Sequence, residues 1–243
     1  KVTAYSGSDG NGFSISLNDN GDTLIVGAPG NDTNGNNIGL VRIYKVPIVS
    51  SQQLQTIITN SGTSIPVGDA ALQQLGGNIY GETASDFIGH SVRLNNNGSI
   101  IAIGGPQSGV GAGVVRIYRY STPGIIGGTW AKLGEDIIGE AVDDGSGAND
   151  SISLNGEGTI IAIGAYSNTS EPDVEESMNG HVRVYEWNET AWVQKGFDSN
   201  GEYLEDQSGW SVSLNNTGII LGSSSILNKG TNKPESGQVR VYK

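Results

Sequence analysis

A carboxylate pair recurs along this chain in the pattern Gly-Glu-X-X-X-Asp: Gly81-Glu82 with Asp86, Gly139-Glu140 with Asp144, and Gly201-Glu202 with Asp206. Asp9 stands before Leu17 at the same distance as Asp86 before Leu94 and Asp206 before Leu214. An arginine recurs too, at Arg42, Arg116, Arg183 and Arg240, each inside Val-Arg-[Ile/Val]-Tyr. An acid repeated once per unit does not point to catalysis, because an active site rarely needs one copy per repeat. It points to architecture. An arginine in a packed strand needs a partner to offset its desolvation. Structural ion pairs are therefore expected between these arginines and Asp9, Asp86, Asp144, Asp206 or the motif glutamates, within one unit or across two.

Other reactive side chains are sparse. The two histidines, His90 and His181, fall in different strand types, and neither has a Ser or Cys partner in a nucleophile motif. Packing or a polar surface role is expected for both. There is no cysteine, which excludes disulfides and thiolate metal sites. Carboxylate pairs for glycoside cleavage are defined by separation in space, and nothing in the chain singles one out. Trp187 and Trp192 flank Asn188, either as a sugar-stacking surface or as packing between repeats. The chain is expected not to be an enzyme.

The elements that carry these residues repeat as well. Phe13–Leu17, His90–Leu94, Asp150–Leu154 and Trp210–Leu214 alternate apolar and small polar residues, the period-two signal of a strand. An Asn/Gly turn follows each, at 18–21, 95–98, 155–158 and 215–218. Next come the apolar runs 24–28, 100–104, 160–164 and 219–222, suited to strands buried on both faces. The Val-Arg strand is third. Leu75–Ile79, Leu133–Ile137 and Trp192–Phe197 read as outer edge strands; Asp69–Leu75 aligns with them although it can form one helical turn.

Four antiparallel strands repeated radially predict one all-β domain over 1–243, a β-propeller of four blades, with units near 8–46, 76–120, 134–187 and 196–243. The chain stops just after the third strand of its last unit. Lys1–Tyr5 is expected to supply the missing strand, closing the wheel or joining it to a neighbouring copy by strand addition. A wheel of more blades, of which this is a fragment, remains open. Lys1 in place of Met suggests a processed or trimmed start.

The net charge of −12 and the lack of a basic stripe argue against nucleic acid and anionic membrane as partners. No apolar run is long enough for a membrane span, so no membrane insertion is expected. Asn31, Asn97, Asn149, Asn168, Asn188 and Asn215 head Asn-X-Ser/Thr sequons, four of them in equivalent turns and loops expected to be exposed. Turn geometry is the competing reason for an Asn there.

Gly12–Asp32 followed by Gly39–Tyr44 resembles the FG-GAP repeat, with Gly27-Ala28-Pro29 as the one intact Gly-Ala-Pro. The likeness covers nearly the whole chain. It implies the extracellular propellers of integrin α subunits and microbial surface proteins, although the integrin type normally has seven blades. It also implies calcium held by Asp and Asn oxygens in loops. Hard cations need six or more oxygens. Asp32, Asn34 and Asn36 at alternate positions are the best match, Asp19 with Asp22 the next. Turns 95–98 and 215–218 lack acids, so no calcium site repeats. The acids Asp173, Glu175 and Glu176 read as a solvated loop. The expectation is an extracellular or cell-surface structural or adhesive module. It would work through contacts with its own copies or other extracellular proteins, require no cofactor, and be helped at most by calcium. The alternatives are a calcium-supported ligand- or glycan-binding propeller and, less favoured, a carbohydrate-active enzyme.

Overall fold

The computed structural model describes residues 8–47, 72–108, 111–123, 125–169, 178–228 and 236–243. These residues form strands in four antiparallel sheets and, among the described residues, no helix. Sheet one holds β1 (Ser14–Leu17), β2 (Thr23–Ala28) and β3 (Leu40–Lys45), with β4 (Gln73–Gln74) and β5 (Ile79–Tyr80) paired to β3. Sheet two repeats the plan with β6 (Ser91–Leu94), β7 (Ile100–Gly105), β8 (Val114–Tyr120), β9 (Trp130–Lys132) and β10 (Ile137–Ile138). Sheet three has β11 (Ile152–Leu154), β12 (Ile160–Ala165), β13 (His181–Trp187), β14 (Trp192–Gln194) and β15 (Ser199–Asn200). Sheet four has three strands only, β16 (Ser208–Leu214), β17 (Leu221–Ser225) and β18 (Gln238–Tyr242).

Each outer strand is broken in two. Gly76 and Gly134 at the breaks have φ of 71° and 82°, which no extended strand accommodates. The outer pieces bond to the Val-Arg strand before them, so the first three sheets end later than their expected units: the sheets span 14–80, 91–138, 152–200 and 208–242. The expected closed wheel is not what the described residues show. No strand of sheet one pairs with one of sheet four, and no sheet is closed. Lys1–Tyr5, the expected closing strand, and Asp173, Glu175 and Glu176 lie outside the described residues, as do residues 69–71 of the possible helical turn at Asp69–Leu75, of which Gln73–Gln74 is strand.

The hydrophobic core lies between sheets rather than inside one. Val41 and Ile43 of β3 face sheet two and pack with Val92, Ile101, Ile103 and Val114. Val115, Ile117 and Ile100 of sheet two meet Ile152, Ile161 and Ile163 of sheet three. Ala162 and Val182 meet Val212 and Leu221 of sheet four. Each fully buried Val or Ile contributes roughly 1.5–3 kcal/mol. The period-two pattern follows: along β8, Val115 and Ile117 face forward while Val114 and Arg116 face back. Inner turns align the sheets. The Asn95 side-chain oxygen accepts the N–H groups of Ser99 and Ile100 at 2.9 Å, and Asn18, Asn155 and Asn215 do the same in their own turns. Backbone bonds then join Asp19 to Asn96, Asn96 to Gly156 and Gly156 to Asn216.

Candidate functional site

The motif acids divide their labour. The aspartate folds its own turn: Asp86 accepts the N–H groups of Glu82 (2.7 Å) and Thr83 (3.1 Å), Asp144 those of Glu140 and Ala141 (both 2.8 Å), and Asp206 those of Glu202 and Tyr203 (both 2.9 Å). Burial would raise the Asp86 pKa, but the hydrogen bonds from Thr83 and Glu82 outweigh it, so the carboxyl sits below its ordinary value. The glutamate reaches the arginine of the sheet that follows it. Arg116 lies 3.2 Å from Glu82, Arg183 3.5 Å from Glu140 and Arg240 3.7 Å from Glu202. Of the expected Arg–Asp pairs, Arg116 with Asp86 is the only one within ion-pair range among the described residues, at 3.6 Å. Arg42 instead donates to Asn11 at 2.7 Å. Asp9 is buried.

A third acid completes the cluster in sheets two and three, and no sequence pattern had marked it. In sheet two Asp136 accepts from Arg116 at 2.9 Å, while Lys132 bridges Asp136 and Glu82 at 2.5 and 3.3 Å. In sheet three Asp198 takes the place of Asp136, and Gln194 replaces Lys132, donating to Asp198 Oδ1 at 2.6 Å. His181 stands here where sheet two has Val114 and sheet one Leu40. Its Nδ1 faces Glu140 Oε2 at 3.8 Å and Asp198 Oδ2 at 4.0 Å, and Nε2 is buried with no hydrogen-bond partner. Burial, helped by the Arg183 charge, pushes its pKa down to about 4, so it is neutral near pH 7. A histidine at a register position held by Leu40 and Val114 in the two preceding sheets was the available signal. His90 has another role: Nδ1 accepts the Asn149 N–H at 2.9 Å and the ring packs on Phe13.

The second feature is an incomplete interface. The Trp130 indole of β9 crosses to sheet one and donates to the Leu75 carbonyl at 2.9 Å; Trp192 of β14 crosses to sheet two and donates to the Leu133 carbonyl at 2.8 Å. Gly76 and Gly134 leave room for them, since a Cβ on either would sit 2.7 Å from a tryptophan ring carbon. Lys195 and Gly196 are the next pair in this series. Among the described residues, sheet four has no outer strand to reach them and nothing lies within 4 Å of where a Gly196 Cβ would be. A pocket of about 510 Å³ opens there, lined by Glu186, Trp187, Val193 and Lys195, and Phe197 beside it is fully exposed. The Trp187 and Trp192 rings pack together 5.5 Å apart, within the interface.

The end faces of the row are bare as well. Phe13, Ile15 and Leu17 are more than half exposed on sheet one, whereas Val92 and Ile152, the counterparts of Ile15, are buried. On sheet four, Val239 and Val241 are 72% and 71% exposed, against 0% for Val41 and Val115.

Asp32, the one carboxylate of the expected calcium loop, accepts the Asn37 N–H at 2.7 Å. Asn31 and Asn168, expected as exposed sequons, are buried: Asn31 Oδ1 accepts the Thr33 N–H while its Nδ2 is buried without a hydrogen-bond partner, and Asn168 Nδ2 donates to Asp144 at 3.1 Å. Asn215 Oδ1 is committed to its turn. Asn97 and Asn188 are exposed, and Asn149 is half-buried at φ 48°.

No family model and no curated relative matches the chain. Solved structures do. A candidate 6-phosphogluconolactonase from Bacteroides uniformis is 12% identical at a TM-score of 0.53, over 95% of this chain and 49% of that one. Sqt1 from Chaetomium thermophilum is 13% identical at 0.51, over 91% and 43%. An ancestral GH74 enzyme is 15% identical at 0.41, over 93% and 27%. The chain thus spans about half the length, or less, of these proteins. The expectation of a non-enzyme is overturned by the first of them: a protein named for a lactonase shares this fold, so the fold is no ground for excluding catalysis. What these likenesses establish is the architecture, an all-β array of antiparallel sheets of the propeller type.

Proposed function

We propose that this chain is an assembly module whose last sheet takes up an extended, aromatic-bearing strand from a partner polypeptide. The observation that carries the reading is that, among the described residues, no outer strand pairs with β18, beside the open pocket lined by Trp187 and Lys195. Two filled interfaces in the same molecule specify the occupant. It is a strand that pairs antiparallel with β18 and lays an indole over Gly196, as Trp130 does over Gly76. Main-chain bonds give such a strand affinity, and the aromatic side chain gives it register. Lys195 stands where Leu75 and Leu133 stand elsewhere, so here the ring would lie on a lysine stem with its charge at the rim. A location outside the cell or at its surface belongs to this reading, through the FG-GAP resemblance.

A peptide copying residues 128–139 is the probe, with calorimetry as the readout. We expect one-to-one binding, weakened about tenfold by Trp130→Ala in the peptide. No binding overturns the reading. So does binding that appears only after residues 1–6 are deleted, because the strand would then come from the chain itself.

A further inference from the structure

We propose that sheet three holds a divalent metal ion of the zinc class at Glu140, His181 and Asp198. The ligand atoms of these three residues lie within 4.8 Å of one another. His181 is 1% exposed, and the carboxylate oxygens facing its Nδ1 are too far for a hydrogen bond, at 3.8 and 4.0 Å. They are close to what a shared metal requires, since tetrahedral ligands at zinc stand about 3.4 Å apart. A contraction of about half an ångström would bring each acid to that spacing from the imidazole, and the two acids, within 4.8 Å of each other, close together with it.

Each carboxylate is already oriented for this. Arg183 holds Glu140 by Oε1 at 3.5 Å, which turns Oε2 toward His181. Gln194 holds Asp198 by Oδ1 at 2.6 Å, which turns Oδ2 the same way. Outer donors of this kind fix metal ligands in place. Glu140 is 47% exposed, so solvent can enter and fill a fourth position.

The comparison with sheet two is the independent argument. There the two equivalent acids are bridged by the Lys132 ammonium, so two cations, Lys132 and Arg116, face Glu82, Asp136 and Asp86. In sheet three the lysine is Gln194, which leaves two carboxylates against one guanidinium. The missing cation is matched by an added nitrogen ligand, a buried neutral imidazole where sheets one and two have Leu40 and Val114 and sheet four has Gln238. One nitrogen with two carboxylates suits zinc better than calcium, which prefers six or more oxygens.

The test is metal retention by chelator-stripped protein after gel filtration, with zinc, manganese and calcium chlorides as probes and elemental analysis plus melting temperature as readouts. We expect about one zinc per chain, a raised melting temperature and no calcium retained. His181→Val copies sheet two's Val114, and Gln194→Lys copies its Lys132, so each residue is one this fold already accommodates. Both substitutions should weaken zinc at least about 100-fold, with circular dichroism unchanged. Failure of the folded wild type to retain zinc overturns the proposal. Equal zinc in either variant overturns it too.

Discussion

Replacing Arg116 with methionine should cost far more than the same change at Arg240, although both occupy the same place in the repeat. Arg116 is 4% exposed and contacts Asp136 at 2.9 Å, Glu82 at 3.2 Å and Asp86 at 3.6 Å. Burial disfavours its charge, yet Asp136 and Glu82 more than offset that and hold its pKa above the ordinary arginine value. Each contact near 3 Å is worth about 5 kcal/mol at an effective dielectric of 20 before desolvation is charged. Breaking one side of a buried pair costs about 3–5 kcal/mol net. Lys132 remains to neutralise Asp136, and Glu82 is 58% exposed, so the low end applies: about 3 kcal/mol. In a domain of this size that is a fall of roughly 6–12 °C in melting temperature. The Arg240 side chain is 21% exposed and its partner Glu202 45%, which puts that pair in the range of about 0–1 kcal/mol. The assay is urea unfolding of both variants with the slope held common. Equal losses would mean that the repeat position, and not burial, sets the cost, and the reasoning would fail.

Three further outcomes are expected. In chelator, stability should fall as pH drops from 6.5 toward 4. His181 has a folded pKa near 4 against 6.5 unfolded, so the unfolded chain binds the extra proton throughout that window; the full effect is about 3 kcal/mol, and His181→Val should flatten this part of the pH profile. Gly164→Ala places a Cβ 2.0 Å from the Gly209 carbonyl oxygen and should cost about 3 kcal/mol or more, whereas a Cβ at Gly222 meets nothing closer than 3.8 Å and its alanine variant should melt within a few degrees of wild type. Trp192→Ala removes both the packing on Gly134 and the bond to Leu133 and should cost about 3–5 kcal/mol by the same unfolding assay.

The repeat made the architecture legible because strand period and turn chemistry are local. Asn18, Asn95, Asn155 and Asn215 fold their turns with their own side chains, so the pattern recurs wherever the turn does. Arg–acid pairing was legible down to the motif, with its aspartate and its glutamate both expected as partners. Which acid serves was not: Glu82, Glu140 and Glu202 reach the arginines, while backbone N–H groups close by engage Asp86, Asp144 and Asp206. The burial of Asn31 and Asn168 escaped for the same reason: a loop amide taken up by a fold-internal donor or acceptor looks like any other in sequence. The acids Asp136 and Asp198 come from broken outer strands too short to carry a periodic signal, so the cluster at His181 was invisible until the sheets placed them.

Whether the open end of the row takes a strand or another sheet turns on one residue. At Gly27, Gly104 and Gly164 the next sheet's glycine carbonyl oxygen comes 2.0 Å from where a Cβ would lie, so the spacing between sheets requires glycine. The position in sheet four is Ser224, paired with Val239 as Gly27 is with Val41. A fifth sheet at the same spacing would strike the Ser224 side chain, while a strand added at the β18 edge would not approach it. Ser224→Gly should therefore leave peptide uptake unchanged and lower the barrier to face-on stacking of sheet one of another copy, whose Gly12 now meets nothing within 4 Å. Such stacking is head to tail and need not close, so light scattering of the glycine variant should show mass rising with concentration while the wild type stays constant. If the wild type already stacks this way, serine is accommodated by a wider spacing and the face, rather than the edge, is the assembly surface.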